Sequence, residues 1–503
     1  MKFNFKNDPA KFGEESEGLK KPFFVLKRFC SNIKKSYILM SKFERILCLI
    51  FLAIALSSLA YKCYHVYLAN TKTIPSDRGT YTEAIVGEVK FLNPISAQND
   101  AEKSTSKLLF SGLVRVVDQN TVLPDLAKSW EVASDGIKYT FHLNPDLKFS
   151  DGAPLTSADI AYTIESIQSP DSKSPLQATW ENVVVAPVDD NTIEFDLPSA
   201  YGPFIYSCNF GILPAHLTSD DFSRKLVGSG PYKYEKFNKT GTTINQIELE
   251  RNDNYYGDRP LLETIKLKFY SDKDTAKSEY EKSKSIDALF GADSNVGNKF
   301  DFTSSRSLAL IANLRDDKLK DQTVRQAIFE GKALANPASL TLTSLDIPAQ
   351  REKATELQSN LKNSNINLDL KFLSASQYQD AITNKSYELI FYVFDFGADR
   401  DPYAFWHTSQ ISNLNLAGWS DKSTDILLED ARMILDSAAR NKKYDQFFDT
   451  IKTKDVIKFY DPVLYNFEIK DNVKTVDLVK GNQPFSRYFG ENSWYVGEKR
   501  VRK

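Results

Sequence analysis

Hydrophobic and polar positions divide the chain sharply near its start. From Ile46 to Tyr61 no charge interrupts the run Ile-Leu-Cys-Leu-Ile-Phe-Leu-Ala-Ile-Ala-Leu-Ser-Ser-Leu-Ala-Tyr. Wound as a helix at about 1.5 Å per residue it covers roughly 24 Å, a little less than a hydrocarbon core of about 30 Å. Phe43 on one side and the snorkelling ammonium of Lys62 on the other close the difference. A transmembrane helix is therefore predicted over 46–62. Between Lys20 and Arg45 lie Lys20, Lys21, Lys27, Arg28, Lys34, Lys35, Lys42 and Arg45 against one acid, Glu44, so 1–45 is expected in the cytoplasm and the rest outside. Two readings compete with an uncleaved anchor: a cleaved leader, for which Ser58-Leu59-Ala60 has small residues, and a buried core helix. Lys62 argues against a lipid on Cys63, which needs a small residue before it.

Residues 63–78 are read as a tether, in which Pro75 keeps the membrane helix from continuing. Beyond it, alternation predicts a strand over Tyr81–Gly87, a helix end passing into a strand over Leu108–Val117, and another strand over Tyr139–Leu143. Phe149-Ser150-Asp151-Gly152 supplies a turn, and Thr156 followed three residues later by Asp159 reads as a capped helix start. Leu389–Phe394 is a short apolar run of the buried-strand kind. It delivers Asp395–Pro402 to its carboxyl end, where ligands of open α/β sheets collect.

Composition then limits the function. A chain of 503 residues, 42% hydrophobic, can bury more than one core, so at least two domains are expected. A net charge of −2 leaves no excess of cations for a nucleic-acid backbone, so no nucleic-acid partner is expected. Of Cys30, Cys48, Cys63 and Cys208 only the last lies well inside the exported part, which therefore has no disulfide pair. His65, His142, His216 and His407 lack ligand spacing, so neither a metal nor another cofactor is implied. Gly-x-Ser-x-Gly, His-Glu-x-x-His and Cys-x-x-Cys are missing, and the chain is not read as an enzyme. The nearest catalytic alternative is a peptidase or glycosidase on Asp399 and Asp401. Val227–Pro231 is glycine-rich but lacks a following Lys-Ser/Thr, so it is read as a backbone turn rather than a phosphate loop.

Several of these stretches fit one pattern. Pro124-Asp125-Leu126-Ala127 with Trp130, then a strand, then Phe149-Ser150-Asp151-Gly152 with Thr156 and Asp159, resemble the family 5 extracellular solute-binding proteins, receptors of oligopeptide, dipeptide and nickel importers of the ABC type. The likeness continues through Leu213-Pro214-Ala215-His216, Val227-Gly228-Ser229-Gly230-Pro231-Tyr232, Arg251–Gly257 with Pro260, Asn313, and Val324-Arg325-Gln326-Ala327. It covers Tyr81 to about Phe467. The resemblance implies an α/β, two-lobed, periplasmic-binding-protein-like (type II) ectodomain after one N-terminal transmembrane helix. Lobe one would span 79–305 with a return at 468–503, and lobe two 306–467. After Ile328 the chain departs from the family: Gly331–Ala349 passes quickly into a helix over Arg351–Leu361 and a strand over Asn367–Leu373, so an abbreviated second lobe is expected.

The resemblance also implies a site. In peptide-binding relatives a Trp-x-Ala-Asp-x-x-Asp-Pro motif supplies the aspartate that pairs with the peptide's amino terminus. On that match Phe396 stands for the tryptophan and Asp399 for the ammonium partner. The spacing to Pro402 is one residue shorter here, which keeps Asp401 as a competitor, and either aspartate could instead cap its own loop. Tyr403, Trp406, His407 and Asn415 complete the expected ligand-binding set, offering stacking faces and an amide, with Phe405 assigned to the core. The implied protein is an extracytoplasmic, single-pass bacterial receptor that binds an oligopeptide between its lobes and presents it to ABC permease subunits unchanged. A nickel or haem ligand is disfavoured by the sparse histidines. The alternative is a non-transport surface receptor or adhesion module on the same fold.

Overall fold

The computed structural model describes residues 40–217, 225–476, 478–479 and 481–503, and the basic stretch from Lys20 to Lys35 lies outside them. The chain divides into two units, Met1–Ile74 with Glu498–Lys503, and Pro75–Gly497.

In the first unit a helix runs from Lys42 to Asn70. Ser41 and Glu44 cap its start reciprocally, each side chain accepting from the other's backbone N–H. No glycine or proline follows Lys62 before Pro75, so nothing stops the helix at 62, and residues 63–70, expected in the tether, continue it. Thr71–Pro75 is not a free tether either, since it pairs with Glu498–Arg502 in a two-stranded ribbon. The last six residues, expected to return to lobe one, therefore belong with the helix. No residue of the helix is buried, and it is long and apolar enough to cross a membrane.

The second unit is built on a ten-stranded sheet: β1 (Thr80–Val86), β2 (Tyr232–Thr240), β3 (Thr243–Arg251), β4 (Thr264–Tyr270), β5 (Ala288–Phe290), β6 (Asn298–Ala312), β7 (Ala338–Leu345), β8 (Ile366–Leu373), β9 (Leu389–Asp395) and β10 (Ile457–Ile469). Their order is β8-β7-β9-β6-β10-β5-β1-β4-β3-β2. Strict alternation works in β4, where Ile265, Leu267 and Phe269 face inward, whereas β9 buries Leu389, Ile390 and Phe391 in succession as an inner strand between β7 and β6. One large core joins Tyr81 to Phe302 with Tyr465 to Trp494, while two smaller cores are drawn from residues 309–457. The long strands β6 and β10 carry the sheet from one lobe to the other, and their register slips between Thr303 and Ser307. A bulge there bends the sheet where the lobes meet.

Local signals read from the sequence account for several joints. Thr156 and Asp159 form the reciprocal cap of the helix Ser157–Gln168. Gly228 and Gly230 lie against the Leu109 carbonyl so closely that an added Cβ would stand 2.1 and within 2.6 Å of that residue's backbone, which explains the glycines as a packing turn. β7 was not anticipated: its Ser- and Thr-rich sequence hides the inward pair Leu340 and Leu342, and it adds a parallel strand to the second lobe.

Candidate functional site

The register slip in β6 borders a cavity of about 990 Å³. Its floor is Asp301–Ser305 and Ser307 of β6 with Phe459, Tyr460 and Pro462 of β10. The turn Asp118–Asn120 walls it from lobe one. From lobe two come Phe396 and Gly397, just past β9, and Asp445, Phe448, Asp449 and Lys452 on the helix Ser437–Thr453.

Polar links tie the walls together. Arg306 donates both terminal nitrogens to Asp100 of lobe one, at 2.8 and 2.7 Å, and its Nε to Asp395 of lobe two at 3.2 Å. Ser305 Oγ donates to the same Asp395 at 2.6 Å, so the end of β9 is clamped to the strand that crosses between lobes. Farther along the rim Asn441 reaches Asn120 at 3.4 Å, and Arg440 reaches the Tyr206 hydroxyl at 3.5 Å. Gly202 packs on Ile434 with no room for a side chain, since a Cβ would stand 2.1 Å from the Ile434 carbonyl oxygen.

Of the residues expected to bind ligand, Phe396 lines this cavity, stacked on Phe394 with ring centroids 5.1 Å apart. Asp399 is buried and already has a cation: Arg440 donates to its Oδ1 from Nε at 2.9 Å and from a terminal nitrogen at 2.5 Å, and Tyr444 OH lies 3.3 Å from Oδ2. Burial pushes its carboxyl up to about 6 against the pull of Arg440. Asp401 accepts Arg432 Nε at 2.8 Å and the Tyr403 N–H at 3.0 Å. Tyr403 stacks on His407 at 4.2 Å and lies under the Arg432 guanidinium. His407 is held by Ser409 and Glu429.

Trp406 and Asn415, expected at the pocket wall, are in the core instead. Trp406 is 1% exposed, and the fully buried Asn415 amide donates to the carbonyls of Trp406, His407 and Trp419, knitting the loop together. An amide that satisfies three buried carbonyls has no donor left for a ligand. The cavity residues that sequence reasoning passed over are those of the helix Ser437–Thr453 and of β6. A signal existed: Asp445, Phe448, Asp449 and Lys452 recur at helical spacing on one face. The cavity's carboxylates, Asp118, Asp301, Asp445 and Asp449, outnumber its cations, Arg400 and Lys452, and no histidine or cysteine lines it. Among the described residues no group of three His, Cys, Asp or Glu side chains could hold a metal ion.

This arrangement can be set beside known proteins. Residues 121–331 match the model of the bacterial extracellular solute-binding proteins, family 5 Middle. The oligopeptide-binding protein AppA of Bacillus subtilis is 22% identical over 464 residues, covering 75% of this chain and 85% of that protein. The structure of NikZ from Campylobacter jejuni in complex with Ni(L-His) superposes with a TM-score of 0.67 at 21% identity, over 84% of this chain and 100% of that one. The AppA structure from Bacillus subtilis with a nonapeptide gives 0.64 at 19% identity, over 84% and 100%. Residues 121–331 are thus similar to the family 5 extracellular solute-binding proteins, and the ten-stranded sheet with a cavity between two lobes shares the fold of these solved structures.

Proposed function

We propose that the protein is a membrane-anchored importer receptor that encloses an oligopeptide between its lobes and hands it, chemically unchanged, to an ABC permease. The observation that carries this reading is the interlobe cavity: about 990 Å³, at the upper end of ordinary ligand sites, with the rings of Phe396, Phe448 and Phe459 alternating with polar groups. Flat rings and hydrogen-bonding groups suit an extended chain whose side chains vary, because stacking and main-chain contacts ask for no particular residue. The nonapeptide held by AppA points the same way, and a nickel complex is disfavoured because no imidazole or thiol faces the cavity.

Within this reading the ligand's ammonium meets a carboxylate of the cavity, with Asp449 the foremost, since Asp301 and Asp445 already face Lys299 and Arg400. Asp399, paired with Arg440, and Asp401, paired with Arg432, shape the loop that presents Phe396. Closure of the lobes about the bulge in β6 completes the enclosure. The helix Lys42–Asn70 is the uncleaved anchor, with the N-terminus in the cytoplasm and the cavity outside.

Native mass spectrometry of the receptor from its host identifies what it carries, and calorimetry with that peptide tests the site. Phe396→Ala removes one buried ring face and is expected to weaken binding about 10- to 100-fold, from roughly 1.5–3 kcal/mol of lost burial. Unchanged affinity in Phe396→Ala, or catalytic turnover of the peptide, would remove the proposal. Equal affinity for free and N-acetylated peptides would remove the ammonium pairing alone. Anchoring is checked separately, by whether the full-length chain resists alkaline carbonate extraction from membranes.

A further inference from the structure

The far end of the helix Lys42–Asn70 is finished by the opposite end of the chain. Tyr61, Tyr64 and Tyr67, all exposed, recur every third residue along the final turns of the helix. Amphipathic rings of this kind settle where hydrocarbon gives way to headgroups. Four residues after Tyr67, about 6 Å along the axis, the chain enters the ribbon of Thr71–Pro75 with Glu498–Arg502.

Arg500 closes the helix end. Its guanidinium donates to the carbonyls of Leu68 at 3.5 Å and Thr71 at 3.2 Å, and to the hydroxyls of Thr71 at 3.0 Å and Thr73 at 3.2 Å. The Lys503 N–H donates to the Asn70 carbonyl at 2.9 Å. Around this joint Lys72, Arg502 and Lys503 are exposed. Three cations are thus carried at the height the tyrosines assign to lipid headgroups.

We propose that this ribbon is a lipid-contact surface, in which Lys72, Arg502 and Lys503 bind the headgroup phosphates of anionic phospholipids. The inference rests on the anchor reading above. Exposed cations act on a charged surface only within a Debye length, about 10 Å at 0.1 M salt. Hydrogen bonds from Arg500 and Lys503 to the last turn of the helix hold the ribbon inside that range. The contact also fixes the tilt of the anchor, since a basic collar on one side of the helix end draws that side toward the headgroups.

The test uses the full-length chain in lipid nanodiscs made either of phosphatidylcholine alone or of phosphatidylcholine with phosphatidylglycerol, with hydrogen exchange followed by mass spectrometry. Amides of 71–75 and 498–503 are expected to exchange several-fold more slowly in the anionic discs. The difference should vanish at high salt. It should vanish too in the combined variant Lys72→Gln, Arg502→Gln, Lys503→Gln, which keeps Arg500 and so the closed helix end. Equal exchange in both lipids by the wild-type chain overturns the headgroup contact and leaves the anchor standing, whereas a chain recovered outside the discs overturns both.

Discussion

Asp125 and Asp399 are both buried carboxylates on stretches that the sequence marks out, yet their surroundings are opposite. Asp125 lies between Lys107 at 3.2 Å and Arg115 at 3.4 Å and accepts a hydrogen bond from the Tyr256 hydroxyl. Burial works against its charge, but the two cations and the phenol outweigh burial and hold the carboxyl below its ordinary range. Asp399 has one cation, Arg440, and a second carboxylate, Asp401, nearby. There burial prevails and pushes the carboxyl up to about 6. The comparison separates two uses of one residue type. In lobe one a balanced network ties the helix Asp100–Leu109 to the strands that follow it, and in lobe two a less balanced pair supports the loop at the cavity's edge.

The largest effect is expected at Asp125. Replacing it by asparagine leaves two partly or fully buried cations facing a neutral amide, and removing one side of such a network costs about 3–5 kcal/mol. Urea unfolding at neutral pH measures it. The sign with pH follows from the lowered carboxyl: its stabilisation is fully present above the unfolded value of about 3.9 and is lost as pH falls through the folded value below that. Asp125→Asn should therefore be flat across the acid range in which the wild type weakens. A loss well under 1 kcal/mol would mean that Lys107 and Arg115 are adequately solvated without it, and the supposed difference between the lobes would disappear.

Asp399→Asn should behave in the opposite sense. A folded value of about 6 above an unfolded value of about 3.9 means that the folded state holds its proton more tightly. Stability then falls as pH rises from about 4 to about 6, by at most about 3 kcal/mol, and stays level above that. The asparagine variant lacks this slope, so it gains on the wild type across the window. Urea midpoints at half-unit steps of pH read the difference directly, and parallel profiles would show that Asp399 ionises normally.

What the sequence disclosed about this region depended on distance along the chain. β9 and its loop were legible because an unbroken apolar run followed by Asp395–Pro402 is local, and the cap at Thr156 and Asp159 was legible for the same reason. Phe396 was singled out through the resemblance, as the residue that stands for the motif's tryptophan. Trp406 and Asn415 lie in the core, and the single turn Tyr403–Trp406 is too short for periodicity to tell a core face from a cavity face. Arg440 lies 41 positions from the carboxylate it neutralises, and Arg500 lies 429 from Thr71, so no local pattern could pair them. β7 was lost for a third reason: its polar positions are themselves buried, Thr343 at 1% and Ser344 at 0% exposure, which erases the alternation that would have marked it.

The smallest effect, and the one that discriminates best, is expected at Asp401. Its Oδ1 accepts the Tyr403 N–H and its Oδ2 accepts Arg432 Nε, while the Arg432 guanidinium lies over the rings of Tyr201 at 4.8 Å and Tyr403 at 4.1 Å. Asparagine keeps the shape and the first acceptor, and the rings go on holding the guanidinium, so the cost should be about 1 kcal/mol. The charge it removes is one of those that raise Asp399, after burial. In Asp401→Asn the fall in stability between about pH 4 and 6 should accordingly end at a lower pH and be shallower. An unmoved profile would mean that Asp399 feels exclusion from water alone, and the contrast with Asp125 would then come from solvent access rather than from the number and sign of charged neighbours.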